Sequence, residues 1–160
     1  MNRRHTFSVL VNDHPGVLQR VSGLFARRGF NIDSITVGAS ETESLSRMTI
    51  AAWGDERTRT QIVHQLSKLI DVLDVRALED GTFVARELML LKVKASAHER
   101  PAALALAESF RCAVVDVGPE TMTVQAVGDA DKNNALLQLF RPFGIVELTR
   151  TGETAMPRSR

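Results

Sequence analysis

The chain has 160 residues, 44% hydrophobic and 24% charged, enough for one domain or two small ones with buried cores. A formal net charge of +1 gives no bulk electrostatic attraction toward nucleic acid or an anionic membrane. No apolar run approaches the roughly 20 residues of a membrane-spanning helix, Met1–His5 carries no leader pattern, and the single cysteine, Cys112, excludes an intrachain disulfide, so a soluble cytoplasmic protein is expected.

Thr6–Val11 alternates, with Phe7, Val9 and Val11 at period two, and predicts a strand. The turn cluster Asn12-Asp13-His14-Pro15-Gly16 follows, and a helix is expected to begin at Pro15-Gly16. Val17, Leu18, Val21, Leu24 and Phe25 make its apolar stripe, and Gly29 is placed to end it in a left-handed conformation. Residues 32–39 and 46–53 predict two strands around a polar turn. After Gly54-Asp55, a second helix carries Ile62, Val63, Leu66, Leu69 and Ile70. Val72–Leu78 closes the unit as a strand, with Leu73 and Val75 inward and Asp74 and Arg76 outward. The order β-α-β-β-α-β in roughly 80 residues suits a ferredoxin-like unit.

The same order recurs after Glu79-Asp80-Gly81, with strands over 87–95, 113–117, 122–127 and 145–149 and helices over 102–110 and 132–140. The expected fold is α+β, two tandem ferredoxin-like βαββαβ units, divided as 1–79 and 80–160, with a loose basic tail from Thr151. Met89, Leu91 and Val93 share one face of the fifth strand, and Leu88 and Leu90 the other. Two apolar faces and open sheet edges argue for a homodimer or a domain contact.

Catalytic constellations are missing from the pattern. There is no Gly-x-Gly-x-x-Gly and no Gly-Lys-Ser/Thr phosphate cradle. His5, His14, His64 and His98 are scattered without ligand spacing, and one cysteine cannot build a thiolate zinc site. Cys112 reads as a small half-buried residue at a strand start. Aromatics at 5%, with no tyrosine, give no base-stacking platform of the RNA-recognition kind. Met89 and Met122 read as core fillers, Trp53 as an edge or interface residue, and Arg47 as solvated or facing a partner.

The informative element is the turn Val11-Asn12-Asp13-His14-Pro15-Gly16-Val17-Leu18. A helix start presents unpaired N–H groups and positive dipole to a carboxylate. Asp13 can cap that helix or accept from an ammonium group, and the pair matches the two charged ends of an α-amino acid. The same residues also make an ordinary capped helix start.

Asp13-x-Pro15-Gly16-Val17-Leu18 followed by Phe25-Ala26-Arg27-Arg28-Gly29-Phe30-Asn31-Ile32 resembles the signature of ACT domains, a family of small ligand-sensing modules. Residues 23–37, Leu45-Ser46-Arg47-Met48-Thr49-Ile50, Gln65-Leu66 to Leu73, Arg86-Glu87-Leu88, Phe110-Arg111 and Arg150-Thr151-Gly152 look specifically like acetolactate synthase small regulatory subunits, collinearly over nearly the whole chain. The resemblance implies a non-catalytic subunit that activates a catalytic large subunit and confers feedback inhibition by valine or another branched-chain amino acid. It implies a homodimer through the N-terminal ACT domains. The effector would lie between Asp13, His14, Pro15, Gly16, Val17 and Leu18 of one copy and Asn31 and Ile32 of the other. It implies no cofactor or metal on this chain, with thiamine diphosphate, Mg and FAD on the partner. Many relatives carry Asn at the position of Asp13. A free-standing tandem-ACT regulator acting on a transcriptional partner is the alternative, and it would leave Leu45–Ile50 and Arg150–Gly152 unexplained.

Overall fold

In the computed structural model, which describes residues 1–160, the two periodicities become two α+β units with ferredoxin-like order. The first runs β1 (Arg3–Asn12), α1 (Val17–Arg28), β2 (Asn31–Ala39), β3 (Leu45–Gly54), α2 (Glu56–Ser67) and β4 (Val72–Leu78). Its strands form an antiparallel sheet in the order β2-β3-β1-β4. The second runs β5 (Phe83–Lys94), α3 (Arg100–Ser109), β6 (Ala113–Val117), β7 (Thr121–Gly128), α4 (Ala130–Phe140), a 3-10 turn at Arg141–Phe143 and β8 (Ile145–Arg150), with sheet order β6-β7-β5-β8. A last strand, β9 (Thr154–Pro157), pairs with β5.

Alternation along β1 decides the first core. Phe7, Val9 and Val11 project to the helical side with Met48, Ile50 and Ala52 of β3, and Val17, Val21, Leu24 and Phe25 of α1 close over them. Gly29 ends α1 at φ +68°, and Phe30 then folds back so that its ring meets Phe25 edge-on at 5.7 Å. Asp55 caps α2, its carboxylate accepting from Thr58 N–H at 2.8 Å. Gly54 allows the close approach of that helix, because a Cβ there would stand 2.5 Å from Thr58 Cγ2. In the second unit Met89, Leu91, Val93, Met122 and Val124 pack under Ala103, Ala107, Leu136 and Phe140. Met89 and Met122 are fully buried, as expected of core fillers.

Several expectations need correction. Leu73 is 52% exposed, because the β1–β4 register slips between Leu10 and Val11 and bulges Leu73 out of the inward row that Val75 keeps. Helix α2 stops at Ser67, so Leu69 falls in the following turn and Ile70 is 92% exposed. The C-terminal segment is not loose. Glu153 and Ala155 are buried, Ala155 N–H donates to Thr49 Oγ1 at 3.2 Å, Thr36 Oγ1 donates to Glu153 C=O at 3.3 Å, and Arg158 N–H donates to Thr82 C=O at 2.8 Å. Thr36 and Thr49 lie opposite each other on the sheet face away from the helices, and residues 153–155 cover part of that face. The chain therefore divides into Met1–Val84 with Glu153–Arg160, and Ala85–Gly152, where a boundary at 79/80 was expected.

Candidate functional site

The turn between β1 and α1 starts where Asn12 pairs opposite Leu45, and Asp13 N–H donates to Ser44 C=O at 2.8 Å. It therefore sits at the sheet end where β2 finishes and β3 begins. Asp13, His14, Pro15 and Gly16 are exposed. Helix α1 begins at Val17, after Gly16 as its N-cap, and no side chain caps it. Of the two roles open to Asp13, helix capping is thus not realised. Gly16 takes φ +90° and ψ −8°, a left-handed conformation that L side chains rarely adopt. Val17 turns into the core, whereas Leu18, expected on the apolar stripe, is 48% exposed beside the turn. The first turn of a helix leaves its N–H groups without intrahelical acceptors, and Leu18 and Gln19 occupy those positions here.

Asp71 organises this turn, and no site role was anticipated for it. Its side chain is 8% exposed. Oδ1 lies 2.8 Å from His14 Nε2 and 3.5 Å from Asn12 Nδ2, Oδ2 takes Arg20 Nη1, and its backbone C=O accepts from Asn12 N–H at 2.9 Å. Because a carboxylate only accepts, the His14 contact requires the ring proton on Nε2. A signal did exist in the sequence: Asp71 is the one polar residue within Leu69-Ile70-Asp71-Val72-Leu73. An acid there has to find partners, since burying a lone charge is costly.

Asn31 and Ile32 lie elsewhere. They open β2, after the far end of α1, whose 12 residues span about 18 Å. Ile32 is half-buried and packs against the core, while Asn31 is exposed opposite Trp53. Asn31 lines an open cleft of about 450 Å³ with Arg28, Trp53, Asp55 and Thr58, and no residue of 13–18 lines it. Within one chain the turn and Asn31–Ile32 are therefore not brought together. Just past them, the β2 bulge presents Asp33 to Arg4 at 2.6 Å, and Arg4 also pairs with Glu153. Burial opposes the charge on Arg4, but hydrogen bonds to Asp33 and Glu153 outweigh it and raise its pKa.

Elsewhere, Arg47 pairs with Glu41 at 2.9 Å and draws the Glu41 pKa down. Burial pushes the Cys112 thiol up, against a nucleophilic thiolate at neutral pH. No group of three or more His, Cys, Asp or Glu side chains could hold a metal ion, and no helix is long and apolar enough to cross a membrane.

Comparison with known proteins accounts for both units. Residues 7–74 match the family described as the AHAS small subunit-like ACT domain, and residues 86–159 match that described as the small subunit of acetolactate synthase. The probable acetolactate synthase small subunit of Methanothermobacter thermautotrophicus is 55% identical over 155 residues, 96% of this chain and 92% of that one. This chain belongs to the acetolactate synthase small-subunit family. The Mycobacterium bovis small subunit is 46% identical, with 98% of this chain and 93% of its own length covered. The crystal structure of the small subunit from Thermotoga maritima superposes with a TM-score of 0.91 at 40% identity, over 99% of both chains. Membership of the small-subunit family supports a regulatory rather than catalytic part for the chain.

Proposed function

We propose that this chain is the regulatory subunit of an acetolactate synthase, binding a catalytic large subunit, raising its activity and making it sensitive to a branched-chain amino acid such as valine. Thiamine diphosphate, Mg and FAD belong to the large subunit in this reading. The observation that carries it is the exposed left-handed turn at Asp13–Leu18, set beside an apolar side chain, Leu18, that the core leaves outside. First-turn N–H groups suit the effector carboxylate, Asp13 suits its ammonium, and Leu18 suits an aliphatic side chain.

The site needs a second copy. Strand β2 is a sheet edge with one row of unpaired backbone groups. Two copies paired β2 to β2 in antiparallel register about a twofold axis would carry Asn31 and Ile32 of one to the Ala39 end of the other. That is the end where the turn stands, since Asp13 bonds to Ser44. The separation of the two halves within one chain thus supports a homodimer with two shared sites, formed by residues 13–18 and the partner copy's 31–32.

The test is reconstitution. The purified chain is added to a thiamine-diphosphate-dependent acetolactate synthase large subunit, with and without L-valine. Activation that valine, leucine or isoleucine reverses is expected. No effect on acetolactate formation would overturn the assignment and favour a free-standing sensor.

A further inference from the structure

We propose that Asp71 is a positioning residue of the amino-acid-sensing turn, clamping it through Asn12, His14 and Arg20 into the one shape that accepts an aliphatic α-amino acid. The inference rests on the reading of residues 13–18 as the effector turn.

The contacts are distributed in a telling way. Asn12 and His14 precede Gly16 and Arg20 follows it, so one carboxylate holds the chain on both sides of the left-handed residue. Glycine restricts its own backbone least of all residues, so a turn built on Gly16 needs an external constraint to keep one conformation. Arg20 supplies part of it directly: its guanidinium lies against Gly16, where an added Cβ would stand 3.7 Å from Nη2. Arg20 N–H also returns to Gly16 C=O at 3.0 Å. Asp71 itself is held by the loop before β4 and is nearly inaccessible, so it acts through these side chains and not on a ligand. Its two oxygens are divided, Oδ1 to His14 and Asn12, Oδ2 to Arg20, so a swing of either segment strips one oxygen of a buried carboxylate of its partners. Arg20 remains 53% exposed, so the fixed cation also adds positive charge beside the helix start that would meet an effector carboxylate.

The test uses the full-length chain. Asp71→Asn keeps the shape of the side chain and removes the charge that holds Arg20 and His14. Calorimetric titration should give a dissociation constant for L-valine roughly ten- to a hundredfold higher. In the reconstituted synthase the half-inhibitory valine concentration should rise in step, while the extent of inhibition at saturating valine stays that of wild type. A purely structural role would not produce that split. Arg20→Gln should weaken binding similarly and Arg20→Lys should recover most of it. Wild-type affinity in Asp71→Asn overturns the proposal. Should that variant fail to fold, Arg20→Gln decides by the same two outcomes. If wild type binds no valine, leucine or isoleucine, the effector reading itself fails. If wild type binds, Leu18→Asp does not and Asp71→Asn does, only the positioning role falls.

Discussion

Arg150 sends both Nε and Nη2 to a single oxygen of Glu87, Oε1, the Nε contact at 2.9 Å. Asn133 Nδ2 donates to the same oxygen at 3.1 Å and to the Glu87 C=O at 3.2 Å, and Arg150 Nη1 reaches Asn134 Oδ1 at 2.7 Å. One buried carboxylate thereby joins β5, α4 and β8 within the second unit. Removing Arg150 would strand Glu87 without its countercharge. Arg150→Ala is expected to cost about 3 kcal/mol of stability, read as a lower urea midpoint. Arg150→Ala combined with Glu87→Leu should cost less than the single change, because no unpaired charge is then left buried.

Most of the fold was legible because hydrophobic period reports which side of an element is wet. Phe7, Val9 and Val11 alternate, and Val17, Val21, Leu24 and Phe25 recur at helical spacing, so strand and helix were both readable. Leu73, Ile70 and Leu18 were misplaced for a common reason: each stands at an element boundary, where a bulge, a helix end or a helix start breaks the period. The C-terminal strand was missed because its contacts are long-range hydrogen bonds to Thr49, Thr36 and Thr82, which no local pattern encodes. The turn at residues 13–18 was legible as a motif and Asp71 as a lone acid in an apolar run, but the pairing of Asp71 with Arg20, 51 positions away in the chain, was not. Pairing of that kind depends on the third dimension.

Phe25→Ala should be among the most damaging single changes in the first unit. The ring is 1% exposed and packed between β1, β3 and Phe30. Its loss should cost about 3–5 kcal/mol. Ile70→Ser, at an apolar residue that is 92% exposed, should change stability by no more than about 0.5 kcal/mol. Parallel denaturant titrations check both, and a large effect at Ile70 would place it in an interface.

Asp55 should leave a pH signature. The Thr58 backbone N–H holds its carboxyl below the ordinary value of 3.8. With a depressed folded pKa, the contribution is present above the unfolded value and is lost as pH falls through the folded one. The melting temperature of wild type should therefore exceed that of Asp55→Ala at neutral pH, and the gap should narrow below about pH 4. A gap that is constant with pH would show that the cap does not depend on ionisation.

Conformation and contacts at the proposed effector turn can be separated by the choice of substitution. A substitution at Gly16 answers poorly, because φ +90° strains any L side chain even though Arg20 alone stands near an added Cβ. Gly16→Ala and Gly16→Asp should both lower the melting temperature, and lost binding in either would have two causes. Leu18 is the cleaner probe. It is 48% exposed, lies outside the buried cluster and follows the N-cap by two positions. An acid there sits in the first helical turn, where negative charge is favourable by about 0.3–1 kcal/mol. Leu18→Asp should therefore melt within a few degrees of wild type while repelling an effector carboxylate and removing an apolar contact. L-valine binding by calorimetry should fall below detection at concentrations that saturate wild type. Asn31→Ala should weaken binding as well, and mixing it with Leu18→Asp should restore one intact site per mixed dimer, because each variant keeps the half the other lacks. Recovery of about half the sites of the wild-type dimer in that fraction is the expected stoichiometry for a shared site with twofold symmetry. Absence of recovery, with mixed dimers verified by mass, would place both residues in the same copy's site and remove the case for a site shared across the dimer.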